Sequence, residues 1–259
     1  MRTEMLTFSQ YKAHPPRSRA RYLNDHMDGD TDLKGEFCKK ALRWETDSIA
    51  RWYLIRAIGI LKIKAAIPHL IKICLEPEVK FKGSSLHLIT AWSLGKIGEN
   101  AIDLLLSALK HCKVAENQKC LVDALGEIRN PRAIDALKMA FENMDQQVKL
   151  WAALSLSKIG KASLDVLYNM FFNTRKIKER IVILDAIDKI GDCGSREFLK
   201  KILLEGSEQE VYYILTKCTR LFDQSFYEPL LLITKRQDIE NRKLAKRMLK
   251  GLPFGSDSL

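Results

Sequence analysis

The chain has no two cysteines at C-x-x-C spacing. Its six cysteines, Cys38, Cys74, Cys112, Cys120, Cys193 and Cys218, are scattered, whereas structural zinc sites need four ligands at short, repeated intervals. The tightest His/Cys group, His111, Cys112 and Cys120, falls short of that, so no metal and no cofactor is expected. A long apolar run is also missing, and without about 18 such residues nothing spans a membrane. Arg2, Glu4, Gln10 and Lys12 break up the start of the chain, which excludes a secretory signal there. The expectation is a cytoplasmic protein with free, partly buried thiols. Catalytic signatures are missing as well: there is no G-x-S-x-G, phosphate loop, G-x-G-x-x-G or H-E-x-x-H. Acidic residues are in deficit, with 32 Asp and Glu against 43 Lys and Arg, a formal net charge of +11. That balance favours an anionic partner, either an acidic protein surface or nucleic acid.

Glycine is scarce too, 13 in 259 residues, yet it falls in register. Gly95, Gly126, Ser157, Asp188 and Thr219 stand 31 residues apart, and Gly59 precedes Gly95 by 36. One position before this column stand Ile58, Leu94, Leu125, Leu156, Ile187 and Cys218. Two positions before it stand Ala57, Ser93, Ala124, Ser155, Ala186 and Lys217. Internal periods of this size mark stacked repeats, in which each unit buries its apolar face only against its neighbours. Ala152, Ala153 and Leu156 share one helical face. The glycine column reads as the end of the first helix of each pair, where a left-handed residue costs glycine least. A short turn such as Arg129-Asn130-Pro131 leads into a second helix containing Ala133-Ile134-Asp135-Ala136-Leu137.

The stretch Asp145-Gln146-Gln147-Val148-Lys149-Leu150-Trp151-Ala152-Ala153-Leu154 and the run Leu94-Gly95-Lys96-Ile97-Gly98 resemble the HEAT-repeat family. They are most similar to the short HEAT-like repeats of the phycobilisome-lyase type. The resemblance covers roughly residues 45 to 250 and implies an all-α fold. It implies a right-handed α-solenoid of stacked antiparallel helix pairs, about 31 residues each. Residues 1–30 then form a basic N-terminal arm or a degenerate cap, 31–250 the solenoid and 251–259 a flexible tail. Tyr11 to Tyr22 is basic with two prolines, and reads as a solvated lead-in or a phosphate-binding arm. The loop from Glu76 to Ser84 accounts for the longer first period, with Phe81 between Lys80 and Lys82 as its one binding hint.

Eight positions before the glycine column stand Arg51, His87, Gln118, Lys149, Arg180 and Val211. In HEAT-like repeats this column usually ties neighbouring helix ends together, so its expected role is structural. In solenoids of this type the second helices line the concave side. That makes Lys72, Lys110, Lys113, Lys138, Lys176, Lys200 and Lys201 the candidates for binding an anion or an acidic partner. Fold resemblance alone does not assign function. The leading reading is a non-enzymatic scaffold docking an acidic protein segment on a basic concave face. A nucleic-acid binder is the alternative, and an enzyme of the bilin-lyase or DNA-glycosylase kind is the third. The iron-holding His-Glu pairs of HEAT-repeat hydroxylases are missing.

Overall fold

A computed structural model describes residues 8–15, 18–19, 31–81 and 83–251. The described chain is helical apart from one two-residue ribbon. It divides into two compact units, Met1–Ser155 and Leu156–Leu259. In the first unit α1 (Phe8–Ala13) and α2 (Thr31–Trp44) precede the pairs α3 (Ser48–Ile60) with α4 (Ile67–Cys74), α5 (Leu86–Ile97) with α6 (Ile102–His111), and α7 (Ala115–Ile128) with α8 (Ile134–Asn143). Helix α9 (Gln146–Ile159) carries the chain into the second unit. There α10 (Leu164–Asn173) is followed by α11 (Ile177–Ile190), α12 (Cys193–Glu205), α13 (Glu208–Lys217), α14 (Tyr227–Ile233) and α15 (Ile239–Gly251). No helix among the described residues is long and apolar enough to cross a membrane.

First helices pack on first helices. Helix α5 lies between α3 and α7, and the residues before the glycine column form the seam. Ile58, Leu94 and Leu125 are fully buried in the first unit, and Leu156 and Ile187 in the second, each worth about 1.5–3 kcal/mol of transfer free energy. The residues two positions before the glycine column are buried too: Ala57, Ser93, Ala124 and Ser155 in the first unit and Ala186 in the second.

The glycine column does not end the helices. Gly59, Gly95 and Gly126 lie inside α3, α5 and α7 and lack the left-handed conformation expected of a helix end. They allow close approach instead. A Cβ on Gly59 would sit 2.8 Å from the Ser93 backbone, and one on Gly126 would sit 2.6 Å from the Ser155 Cβ. One on Gly95 would meet the Glu127 Cβ at 2.5 Å. The tight approach exposes carbonyls to the next helix, and serine exploits that. Ser93 Oγ donates to the Ile55 carbonyl (2.8 Å) and Ser155 Oγ to the Val122 carbonyl (3.0 Å). Both accepting carbonyls lie four residues before a glycine of the column. Apart from Gly83 in the inserted loop, the positive-φ positions among the described residues fall just after helices, at Lys62, Gly98, Arg129, Gly160 and Gly191. The turn at Arg129 runs as expected, with Pro131 opening a short 3-10 turn before α8.

The N-terminal stretch departs from a solvated lead-in where it is described. Tyr11 is wholly buried, its ring edge-on to Phe37 (5.4 Å) and Trp44 (6.3 Å). Its hydroxyl donates to Glu45 Oε2 (3.0 Å), and Arg19 grips both Glu45 oxygens at 2.9 and 3.0 Å. Arg19 is therefore spent on Glu45 and not free for phosphate. The remainder of the basic arm and the tail 252–259 lie outside the described residues. Within the inserted loop, β1 (Lys80–Phe81) pairs antiparallel with β2 (Ser84–Ser85); the Phe81 side chain is outside the described set. At the other end α15 buries Asn241 and Ala245, while Ile239 is exposed. The Asn241 side-chain amide donates to the Glu208 carbonyl at 2.9 Å, a polar tie to the start of α13.

Two measurements check this packing. Gly126→Ala gains roughly 1 kcal/mol of helix propensity but forces a methyl group into Ser155. Overpacking of that kind typically costs about 1–3 kcal/mol, and here the obstruction includes backbone. Urea unfolding is expected to show a net loss of about 1–2 kcal/mol. Asp188 occupies the glycine column in α11, and burial pushes its carboxyl above the ordinary value, with Arg220 opposing and Asp185 reinforcing. A raised carboxyl destabilises the fold above its folded-state value, and the penalty shrinks as pH falls toward the ordinary carboxylate range. Asp188→Asn is thus expected to be more stable than the parent at neutral pH, with the difference fading on acidification.

Candidate functional site

The column eight positions before the glycines is occupied structurally. Arg51 pairs with Glu76 at 2.5 Å, just past the end of α4, and His87 Nε2 contacts the Glu76 carbonyl at 3.0 Å. Gln118 donates to the Cys112 carbonyl after α6 (2.9 Å). Arg180 Nε lies 2.7 Å from Glu210 Oε1, and its guanidinium stacks 4.1 Å from the Phe171 ring centre. Each of these ties a first helix to the end of a second helix or to the next first helix. Such ends present unsatisfied carbonyls and a partial negative charge.

The seven candidate lysines divide between the units. Lys72, Lys110, Lys113 and Lys138 belong to the first, and Lys176, Lys200 and Lys201 to the second. Four are engaged by acids on their own helix or at its start: Lys138 with Glu142 (3.9 Å), Lys176 with Glu179 (3.6 Å), Lys200 with Glu197 (2.6 Å) and Lys201 with Glu205 (3.9 Å). Lys176 stands just before α11, so it does not benefit from a helix C-terminus. Lys72, Lys110 and Lys113 are exposed and have no ion pair among the described residues.

Lys72 lines a substantial cleft. This cleft of about 560 Å³ is lined by Arg43, Glu45, Arg51, His69, Lys72 and Glu76, among others. Its acids are already committed, Glu45 to Arg19 and Tyr11, and Glu76 to Arg51. Arg43 Nε donates to His69 Nε2 at 3.1 Å, and a neutral imidazole accepting there keeps its proton on Nδ1. Arg43 and Lys72 have no carboxylate partner among the described residues, so the cleft holds excess positive charge. The His69 imidazole reports it: burial, and then the charges of Arg43, Lys39 and Lys72, hold its pKa below the ordinary value. Arg43 and His69 were not among the sequence candidates. The i, i+3 spacing of His69 and Lys72 on α4 was a visible signal; the approach of Arg43 from α2 was not.

A second cleft, of about 130 Å³, brings together Glu78, His87, Glu116, Asp123 and Trp151. It does unite acids with an aromatic, but its volume is below the roughly 300–1,000 Å³ of small-molecule sites. Next to it Cys120 Sγ and Cys74 Sγ approach to 2.7 Å as free thiols, with burial pushing the Cys120 thiol far up. Cys38 and Cys74 are buried core residues as expected, whereas Cys193 is exposed.

Residues 84–157 and 102–181 match the family model for HEAT repeats. The matched span runs from β2 and α5 into α11. HEAT repeats are generally scaffold and protein-interaction modules. No curated protein matches the chain.

The structural role of the polar column is testable at the pair with its most buried carboxylate. The Glu210 side chain is 1% exposed, and stranding such a charge costs about 3–5 kcal/mol. Arg180→Ala is expected to lose an amount of that order in denaturant unfolding. Lys201→Ala, at an exposed pair, is expected to lose under about 1 kcal/mol.

Proposed function

We propose that the chain is a non-enzymatic helical-repeat scaffold whose repeats extend on both sides of the matched span as a right-handed α-solenoid of about 31-residue units. It works in a reducing compartment such as the cytoplasm and docks an acidic segment of a partner protein along its lysine-bearing second helices. The observation that carries this reading is the excess charge of the Arg43, His69 and Lys72 cleft, where an incoming carboxylate gains two unpaired cations.

Exposed apolar side chains on the second helices favour a protein over a nucleic acid. Leu104 on α6, Met139 on α8, Phe172 on α10 and Leu204 on α12 are all exposed. Lys201 Nζ lies 5.2 Å over the Phe172 ring. Mixed apolar and charged surface suits the core and rim of a protein interface, whereas a nucleic-acid backbone is held by charge alone. Lys110, Lys113, Lys138, Lys176 and Lys200 contribute as rim charges, steering association more than deciding affinity.

A glutamate-rich peptide and a DNA duplex serve as probes. The peptide is expected to raise the His69 pKa in an NMR titration, because a carboxylate offsets the repulsion that lowers it. Replacing both Arg43 and Lys72 with Glu is expected to weaken peptide binding about tenfold or more, an energy of roughly 1.4 kcal/mol. Tighter binding of the duplex than of the peptide, lost steeply with salt, would favour the nucleic-acid alternative instead.

A further inference from the structure

His87 is 4% exposed. Its Nε2 faces the Glu76 carbonyl at 3.0 Å, and a carbonyl only accepts, so Nε2 carries a proton. Nδ1 is buried, makes no hydrogen bond and lies 3.3 Å from Glu78 Oε2. A cation between the two would give that buried nitrogen the partner it lacks. Glu116 opens α7 and brings a further carboxylate; ligand atoms of Glu78, His87 and Glu116 all fall within 4.8 Å of one another.

We propose that Glu78, His87 and Glu116 form a binding site for a divalent transition-metal ion, with zinc the best match. Tetrahedral zinc with bonds near 2.1 Å sets its ligands about 3.4 Å apart. The 3.3 Å between His87 Nδ1 and Glu78 Oε2 is such an edge. Glu116 closes the remaining gap of about an ångström by side-chain rotation, since its carboxylate is 41% exposed. In doing so it gives up or shares its 2.5 Å pair with Lys119, which keeps a second partner in Gln147 at 3.0 Å. A fourth position opens into the small cleft, where a water completes the set. An imidazole donor disfavours magnesium and calcium, which take oxygen ligands.

The surroundings fit a metal ligand set. The Nε2–H contact to a backbone carbonyl fixes the tautomer and aims Nδ1, the usual outer contact of a ligating histidine. Ser85 Oγ lies 3.0 and 3.1 Å from the Glu78 oxygens and orients that carboxylate. Two carboxylates balance the charge of a divalent ion. Opposing it are Lys80 and Lys119 in the cleft wall and the α5 N-terminus, which disfavours a cation. A bound ion would join three separate pieces of chain: the inserted loop, α5 and α7.

The test is a cobalt(II) and zinc(II) titration of the full chain after chelator treatment. One equivalent of cobalt is expected to give the visible bands of a tetrahedral nitrogen–oxygen site, with zinc displacing it and raising the thermal midpoint. His87→Gln is expected to abolish the bands. Glu116→Gln, at a surface-facing position that leaves the core intact, is expected to weaken binding at least tenfold, and Ser85→Ala by roughly 10–100-fold. The proposal is overturned by no binding at one equivalent. It is equally overturned by thiolate bands that place the metal on cysteine, or by unchanged affinity in Glu116→Gln. An NMR titration showing His87 doubly protonated at neutral pH with zinc present would mean a proton, not a metal, lies between the ring and Glu78.

Discussion

Everything in the first unit depends on how closely consecutive first helices approach. At Gly59 and Gly126 the next helix lies where a Cβ would otherwise be, and the facing residues are serines. Protein interiors are close-packed, so such a contact does not relax by small adjustments. It sets the spacing of the backbones, and that spacing lets Ser93 and Ser155 reach carbonyls already used inside α3 and α7. Each such bond adds a net 0.5–1.5 kcal/mol or so. Its larger effect is on register, because a helix shifted by one residue loses both the hole and the acceptor.

A second set of contacts fixes the other end of the pairs. Arg51, His87 and Gln118 all reach the region where a second helix ends and exposes carbonyls. Arg180 instead meets Glu210, whose other oxygen accepts from the Ser207 amide in a capping box. The same position in successive pairs therefore meets the same need with different chemistry. Only His87 brings a ring with two distinct nitrogens, and the inserted loop supplies acids to both Arg51, through Glu76, and His87, through Glu78.

The helices and their buried seams were legible in the sequence because period and apolarity both survive without tertiary information. Leu94 and Leu125 announced a core in the first unit, and both are fully buried there. The role of the glycines was not legible. A glycine near a helix end reads as a cap, and only coordinates reveal that Gly126 faces Ser155 from inside α7. The N-terminal stretch failed for a related reason: Tyr11 and Arg19 look like a basic surface until Glu45, 34 residues beyond Tyr11, accepts from them both. Of the candidate site, Lys72 was legible as a cation on a second helix. Arg43 and His69 were not, since their meeting is a contact between separate helices.

The central claim is that glycine in one first helix and serine in the next share a single van der Waals space. A double-mutant cycle on Gly126 and Ser155 measures it most directly. If the two residues compete for that space, Ser155→Gly placed beside Gly126→Ala recovers most of the stability the alanine removes, with a coupling of about 0.5–3 kcal/mol. If the two losses simply add, the residues are not in contact and the account of the packing is wrong.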